Sequence, residues 1–265
     1  MIQFAANVSM LFTQLPFLER LDAAGAAGFG AIEFWWPTQP LSQGVTTDDI
    51  VRRAHDLHLE VVLMNFDAGD MLAGDRGLAG DPNRAQMFRE NVPRALEFAR
   101  RLGCRKLNAL AGNSIAGVDR SEQLDLLTEN VAFAADAAAS EGMAIMLEAL
   151  NPTDTPLYLL PSARSVLDLI ERAGRPNVKF QFDTYHVAKA GDDIMATIAS
   201  TGDRIGHVQF ADFPGRHEPG TGQLPFKAII KGLATVGYQG PVGLEFAPVD
   251  PASPDFSYLG DLGGY

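Results

Sequence analysis

Eight apolar runs of strand length alternate with longer segments of helical period from the first residue to about residue 250, and this alternation constrains the chain more than any single motif. The predicted strands are residues 2–7, 30–35, 60–65, 105–110, 143–148, 177–183, 204–210 and 241–246. Between them, segments such as 84–102 and 121–141 repeat Ala, Leu, Phe and Val at three- and four-residue spacing. The second opens at a candidate N-cap, Ser121, and stops at Gly142. Eight β-α units in roughly 250 residues, without a linker or low-complexity break, fit an α/β chain folded as a single-domain (β/α)8 TIM barrel. The expected domain spans residues 1–265, with a short atypical tail from about 251. A doubly wound sheet would usually carry a G-x-G-x-x-G turn after its first strand, where this chain reads AANVSML. The longest irregular segment, 66–83, follows the third strand and should lie over the barrel mouth.

Charge narrows the range of functions. The net charge of -12, from 33 acidic against 21 basic residues, opposes broad attraction to nucleic acid or to an anionic membrane. No apolar run approaches the roughly 20 residues of a membrane span, and MIQFAANVSMLF lacks a basic leader and a cleavage-type site. A cytoplasmic location is the expectation. The lone cysteine, Cys104, cannot close an internal disulfide and reads as a small buried thiol.

In a barrel of this kind the reacting groups sit at the C-terminal ends of the strands. Those ends read Asn7, Asn65, Glu148, Asp183, Gln209 and Glu245. The last four belong to consecutive strands and converge on one side of the mouth. Three carboxylates that close would repel one another and raise each other's pKa unless a cation lay between them. All-oxygen donors suit Mg²⁺ or Mn²⁺ better than a thiolate-seeking ion, though carboxylates alone do not exclude zinc. The alternative is that each is an ordinary strand-end acid held by a neighbouring Arg or Lys.

His186, just beyond Asp183 in FDTYH, is a candidate substrate contact or proton relay, whereas His207 should lie one layer deeper, tying down polar groups beneath the metal. Arg216 and Arg76, on mouth loops, could grip a substrate carboxylate, and Asn7 and Asn65 could contact substrate. The glycines of EPGTG could cradle an anion, but a tight turn is the simpler reading. Trp35 and Trp36 could wall a small pocket or pack on the rim.

The segments FAANVSMLF, GAIEFWWP, NFDAGD with GDRG, IMLEALN, FQFDTYH, GHVQFAD followed by EPGTG, and GPVGLEF occur in this order over nearly the whole chain. Through them the chain resembles the hydroxypyruvate isomerase family, within the wider xylose-isomerase-like barrel group. The resemblance implies a divalent metal held by Glu148, Asp183, Gln209 and Glu245, with Glu148 and Glu245 as the acid/base pair. It implies no nucleotide cofactor. The implied reaction interconverts hydroxypyruvate and tartronate semialdehyde through a cis-enediolate. A 2-oxo-tetronate isomerase or a ketose 3-epimerase could use the same site, although related epimerases are expected to carry a histidine at the position of Gln209. A metal-dependent phosphodiesterase or endonuclease is more distant, since it would want a histidine-rich cluster and a basic groove, and this chain has five histidines and a charge of -12. A non-catalytic sugar-acid binder would not need two apposed glutamates. The expected partner is a small hydroxy-oxo acid or sugar, not nucleic acid or membrane, and exposed apolar rim residues would suit a homo-oligomer.

Overall fold

The computed structural model describes residues 2–263. Its strands are β1 (Phe4–Asn7), β2 (Ala31–Phe34), β3 (Glu60–Asn65), β4 (Lys106–Asn108), β5 (Ala144–Glu148), β6 (Val178–Asp183), β7 (Ile205–Phe210) and β8 (Val242–Leu244). They pair in chain order, all parallel, and β8 closes on β1 to complete the barrel. Helices cover the outside, so the strands are buried on both faces and read as continuous apolar runs rather than alternating ones. Each predicted strand is present, with β4 and β8 three residues long.

The two long predicted helices are also present, as Ala85–Leu102 and Arg120–Ala139. The second is capped by Asp119 rather than Ser121. The Asp119 carboxylate accepts the Ser121 N–H at 2.6 Å, so the expected cap lies inside the first turn. Gly103 ends the first helix at φ 72°, a left-handed position that costs glycine little.

Register carries the polar strand ends to one level. Asn7 pairs with Glu33, Asn65 with Asn108, Glu148 with Gln181 and Asp183 with Gln209. The ladder is irregular between Ile32 and Glu33 and between Phe180 and Gln181, and such irregularities re-aim the side chains that follow. Opposite Glu33 stands Gly243, where a Cβ would collide with both Glu33 carboxylate oxygens. The glycine leaves the barrel axis open for a buried carboxylate.

Two mouth segments are held by internal ion pairs and turns. In the 66–83 loop, Asp75 accepts two hydrogen bonds from the Arg84 guanidinium, at 2.6 and 2.9 Å. The EPGTG segment wraps round the buried Asp212, whose carboxylate accepts the N–H groups of Phe213, Gly220, Gly222, Gln223 and Leu224 at 2.8–3.0 Å. The glycines therefore enclose the chain's own anion, which is the turn reading. At the C-terminal end, Phe256 packs on Phe12 and Phe29 ahead of a one-turn helix, Tyr258–Asp261.

Candidate active site

Glu148, Asp183 and Glu245 are buried at the mouth of the barrel. Glu148 ends β5. Its Oε2 accepts from Asn108 Nδ2 at 2.8 Å and from Gln181 Nε2 at 3.1 Å, while its Oε1 has no partner among the described residues. Asp183 ends β6 and caps the helix Thr184–Lys189. Its Oδ1 accepts the N–H groups of Tyr185 and His186, and its Oδ2 has no hydrogen bond among the described residues. Glu245 follows β8. Its Oε1 accepts from Trp35 Nε1 at 2.7 Å and Asn7 Nδ2 at 3.1 Å, and its Oε2 from the Arg216 guanidinium at 3.0 Å.

Burial raises the pKa of all three carboxyls. Glu148 is pushed well above the usual carboxylate range by burial and then by Glu245 and Asp183, Glu245 to about 8 by burial, and Asp183 upward by burial. Arg216 offsets part of this. It lies 3.9 Å from Asp183 Oδ2, its guanidinium is 5.3 Å from the centre of the Tyr185 ring, and its backbone is left-handed at φ 58°, a strained conformation for a non-glycine residue. Two unpartnered carboxylate oxygens, Glu148 Oε1 and Asp183 Oδ2, in a set of hard oxygen donors fit a divalent cation.

Glu148, Asp183 and His186 also present one potential ligand atom each within 4.8 Å of one another. The ring chemistry of His186 argues against ligation. Its Nδ1 faces the Asn151 backbone N–H at 3.1 Å, a donor that cannot reverse, so Nδ1 is the acceptor and the neutral ring carries its proton on Nε2. Burial, then Arg216, keeps the ring neutral by holding its pKa well below the usual value. His186 therefore lines the site as a neutral ring whose proton is on Nε2.

A chamber of about 150 Å³ is lined by Glu148, Glu245, His186, Arg216, Arg76 and Asn65, among others. An open groove of about 560 Å³ adjoins it, and Trp35 and Met71 line both. The family model of the xylose isomerase-like TIM barrel matches residues 21–260. The chain belongs to that family. It is 37% identical to the hydroxypyruvate isomerase of Escherichia coli, over 94% of each chain, and 36% identical to a 2-oxo-tetronate isomerase of Cupriavidus necator, over 98% of each. A crystal structure from Brucella melitensis, titled as an AP endonuclease of family 2, superposes with a TM-score of 0.91 at 37% identity, covering 98% of this chain and 99% of that one. Within the family, this chain is an isomerase.

The expected site residues of this family member separate by depth. Arg76, Asn65, His186 and Arg216 reach the chamber. Asn7 does not. Its Nδ2 lies between Glu33 and Glu245 and its Oδ1 accepts the Ser9 N–H, so it holds carboxylates instead of meeting substrate. Gln209 is level with Asp183 in the sheet but does not line the chamber, its Nε2 on Glu33 at 2.6 Å and its Oε1 accepting from Gln181 at 2.7 Å. His207 is deeper and hydrogen-bonded to Glu33 at 2.6 Å. Sequence reasoning missed Glu33, Asn108, Gln181 and the indole donor of Trp35. A signal for Glu33 was present, because GAIEFW sets a charge inside an apolar run just as IMLEAL does.

Proposed function

We propose that this isomerase is metal-dependent and interconverts hydroxypyruvate and tartronate semialdehyde, with Glu148 and Glu245 as its acid/base pair. The observation that carries the reading is the convergence of two buried glutamates, two arginines and a histidine donor on one chamber of about 150 Å³. That space is small beside the roughly 300–1,000 Å³ of sites for drug-sized ligands, which favours a three- or four-carbon acid. The names of the E. coli and C. necator relatives support the same range of substrates.

Arg216 and Arg76 grip the substrate carboxylate, and the Nε2–H of His186 donates to a substrate oxygen. One glutamate takes a proton from C3, leaving an enediolate. The pair then returns a proton to C2 while the hydroxyl proton passes from O3 to O2, so atoms balance without a redox partner. Glu148, Asp183, the Oε1 of Gln209 and Glu245 would hold the ion, which when bound supplies charge stabilisation to the developing oxyanion. Gln209 needs no rearrangement of its amide for this, since its carbonyl oxygen already points away from Glu33.

The endonuclease title of the Brucella structure is the competing lead, but a charge of -12 opposes approach to a phosphate backbone. The test is turnover with added Mg²⁺ or Mn²⁺ on hydroxypyruvate, 2-oxo-tetronates and free ketoses, with and without chelator. Chelator-sensitive turnover that favours hydroxypyruvate is expected. Preference for a free ketose, or activity indifferent to chelator, overturns the reading.

A further inference from the structure

Below the chamber lies a buried carboxylate with no assigned task. Glu33 is fully buried; its Oε1 accepts from Gln209 Nε2 at 2.6 Å and Asn7 Nδ2 at 2.9 Å, and its Oε2 is hydrogen-bonded to His207 Nε2 at 2.6 Å. A carboxyl group at that depth is costly to bury unless its oxygens are hydrogen-bonded. The fold also gives up a side chain to house it, since any Cβ at position 243 would collide with the Glu33 carboxylate.

The consequence for Gln209 follows from what an amide can do. The Glu33 Oε1 that Gln209 meets already accepts from the Asn7 NH₂, so the end of Gln209 on that oxygen is its own NH₂. The carbonyl oxygen is thereby turned the other way, toward Gln181 and, through the Gln181 NH₂, toward Glu148. An amide turned round would present an NH₂ to the cation position instead of a lone pair. Asn7 obeys the same logic. Its NH₂ spans Glu33 and Glu245 while its oxygen is held by the Ser9 N–H.

We propose that Glu33 is a positioning residue that locks the Gln209 amide with its carbonyl oxygen toward the cation and, through Asn7, fixes the rotation of Glu245. The proposal rests on the ligand set proposed above. It extends that set, because it says why a reversible amide can serve there.

The test measures Mn²⁺ affinity by electron paramagnetic resonance, with thermal melting alongside, for the wild type, Glu33→Ala, Gln209→Ala and the double variant. Glu33→Leu keeps the side-chain volume and replaces Glu33→Ala if that protein does not fold. A well-folded Glu33 variant should bind Mn²⁺ about 10–100-fold more weakly, the usual effect of removing a partner behind a metal ligand. Glu33 reaches the ion mainly through Gln209, so the double variant should be little weaker than Gln209→Ala alone. Unchanged affinity in a folded Glu33 variant, or losses that simply add, overturns the proposal alone. A wild type that binds no Mn²⁺ overturns the ligand set and the proposal with it.

Discussion

The two halves of the barrel mouth differ in kind. Strands β5 to β8 bring the carboxylates that reach the metal and substrate position, Glu148, Asp183 and Glu245, whereas β1 to β4 bring neutral donors, Asn7, Trp35, Asn65 and Asn108, and one carboxylate, Glu33, enclosed beneath them. The halves meet at the β4–β5 and β8–β1 seams, where Asn108 donates to Glu148 and Asn7 and Trp35 donate to Glu245. Two of the three acids are thus held in part by neutral donors of the first half, beside Gln181 and Arg216 of their own half. A carboxylate that accepts fixed N–H groups loses little rotamer freedom when it takes up a proton or a cation, and that is the condition for using it as a positioned base.

Breaking the acidic half should have the largest effect. Glu148→Gln or Glu245→Gln keeps the shape and removes the base, and turnover should fall by about 10²–10⁴-fold with the melting temperature nearly unchanged. Near-normal rates in both variants would contradict the assignment. Breaking the neutral half should cost less. Asn108→Ala leaves Glu148 Oε2 with Gln181 alone, and turnover or metal affinity should drop about 10–100-fold. Trp35→Phe retains the ring but not the N–H to Glu245, so about a tenfold fall in kcat/KM is expected, measured beside Trp36→Phe as a control that should change little.

The contrast also has a pH signature in metal-free protein. Burial raises the Glu245 carboxyl from an ordinary value of 4.5 to about 8, so between those values the folded state holds a proton that the unfolded state has released. Stability should therefore fall as pH rises from about 5 to 8. Thermal melts in chelator should show that decline, and saturating Mn²⁺ should flatten it by replacing the proton. A melting temperature that rises over the same range in chelator would contradict the electrostatic picture.

The acidic half was the more legible in sequence, for a physical reason. Glu148, Asp183 and Glu245 end apolar runs, and a charge in that place is conspicuous because its burial is costly. Asn108 and Gln181 are neutral amides within strands, and nothing in their one-dimensional context says which way they face. Facing depends on register, and the ladder is irregular just before both Gln181 and Glu33. Glu33 was visible as a charge inside GAIEFW, but its partners Gln209, His207 and Gly243 come from strands more than 170 residues away. The eight strands were legible throughout, since parallel strands covered by helices must be apolar on both faces. Asp119 displaced the expected cap Ser121 because cap choice turns on one or two residues of local geometry.

Crystals grown with Mn²⁺ and measured for its anomalous scattering test the central claim most directly. The expected result is one peak within about 2–2.6 Å of oxygens from Glu148, Asp183, Gln209 and Glu245. His186 should stand outside the coordination sphere, with its Nε2–H free to meet substrate. A peak held by Glu148, Asp183 and the His186 ring nitrogen, with Gln209 and Glu245 left out, would contradict it.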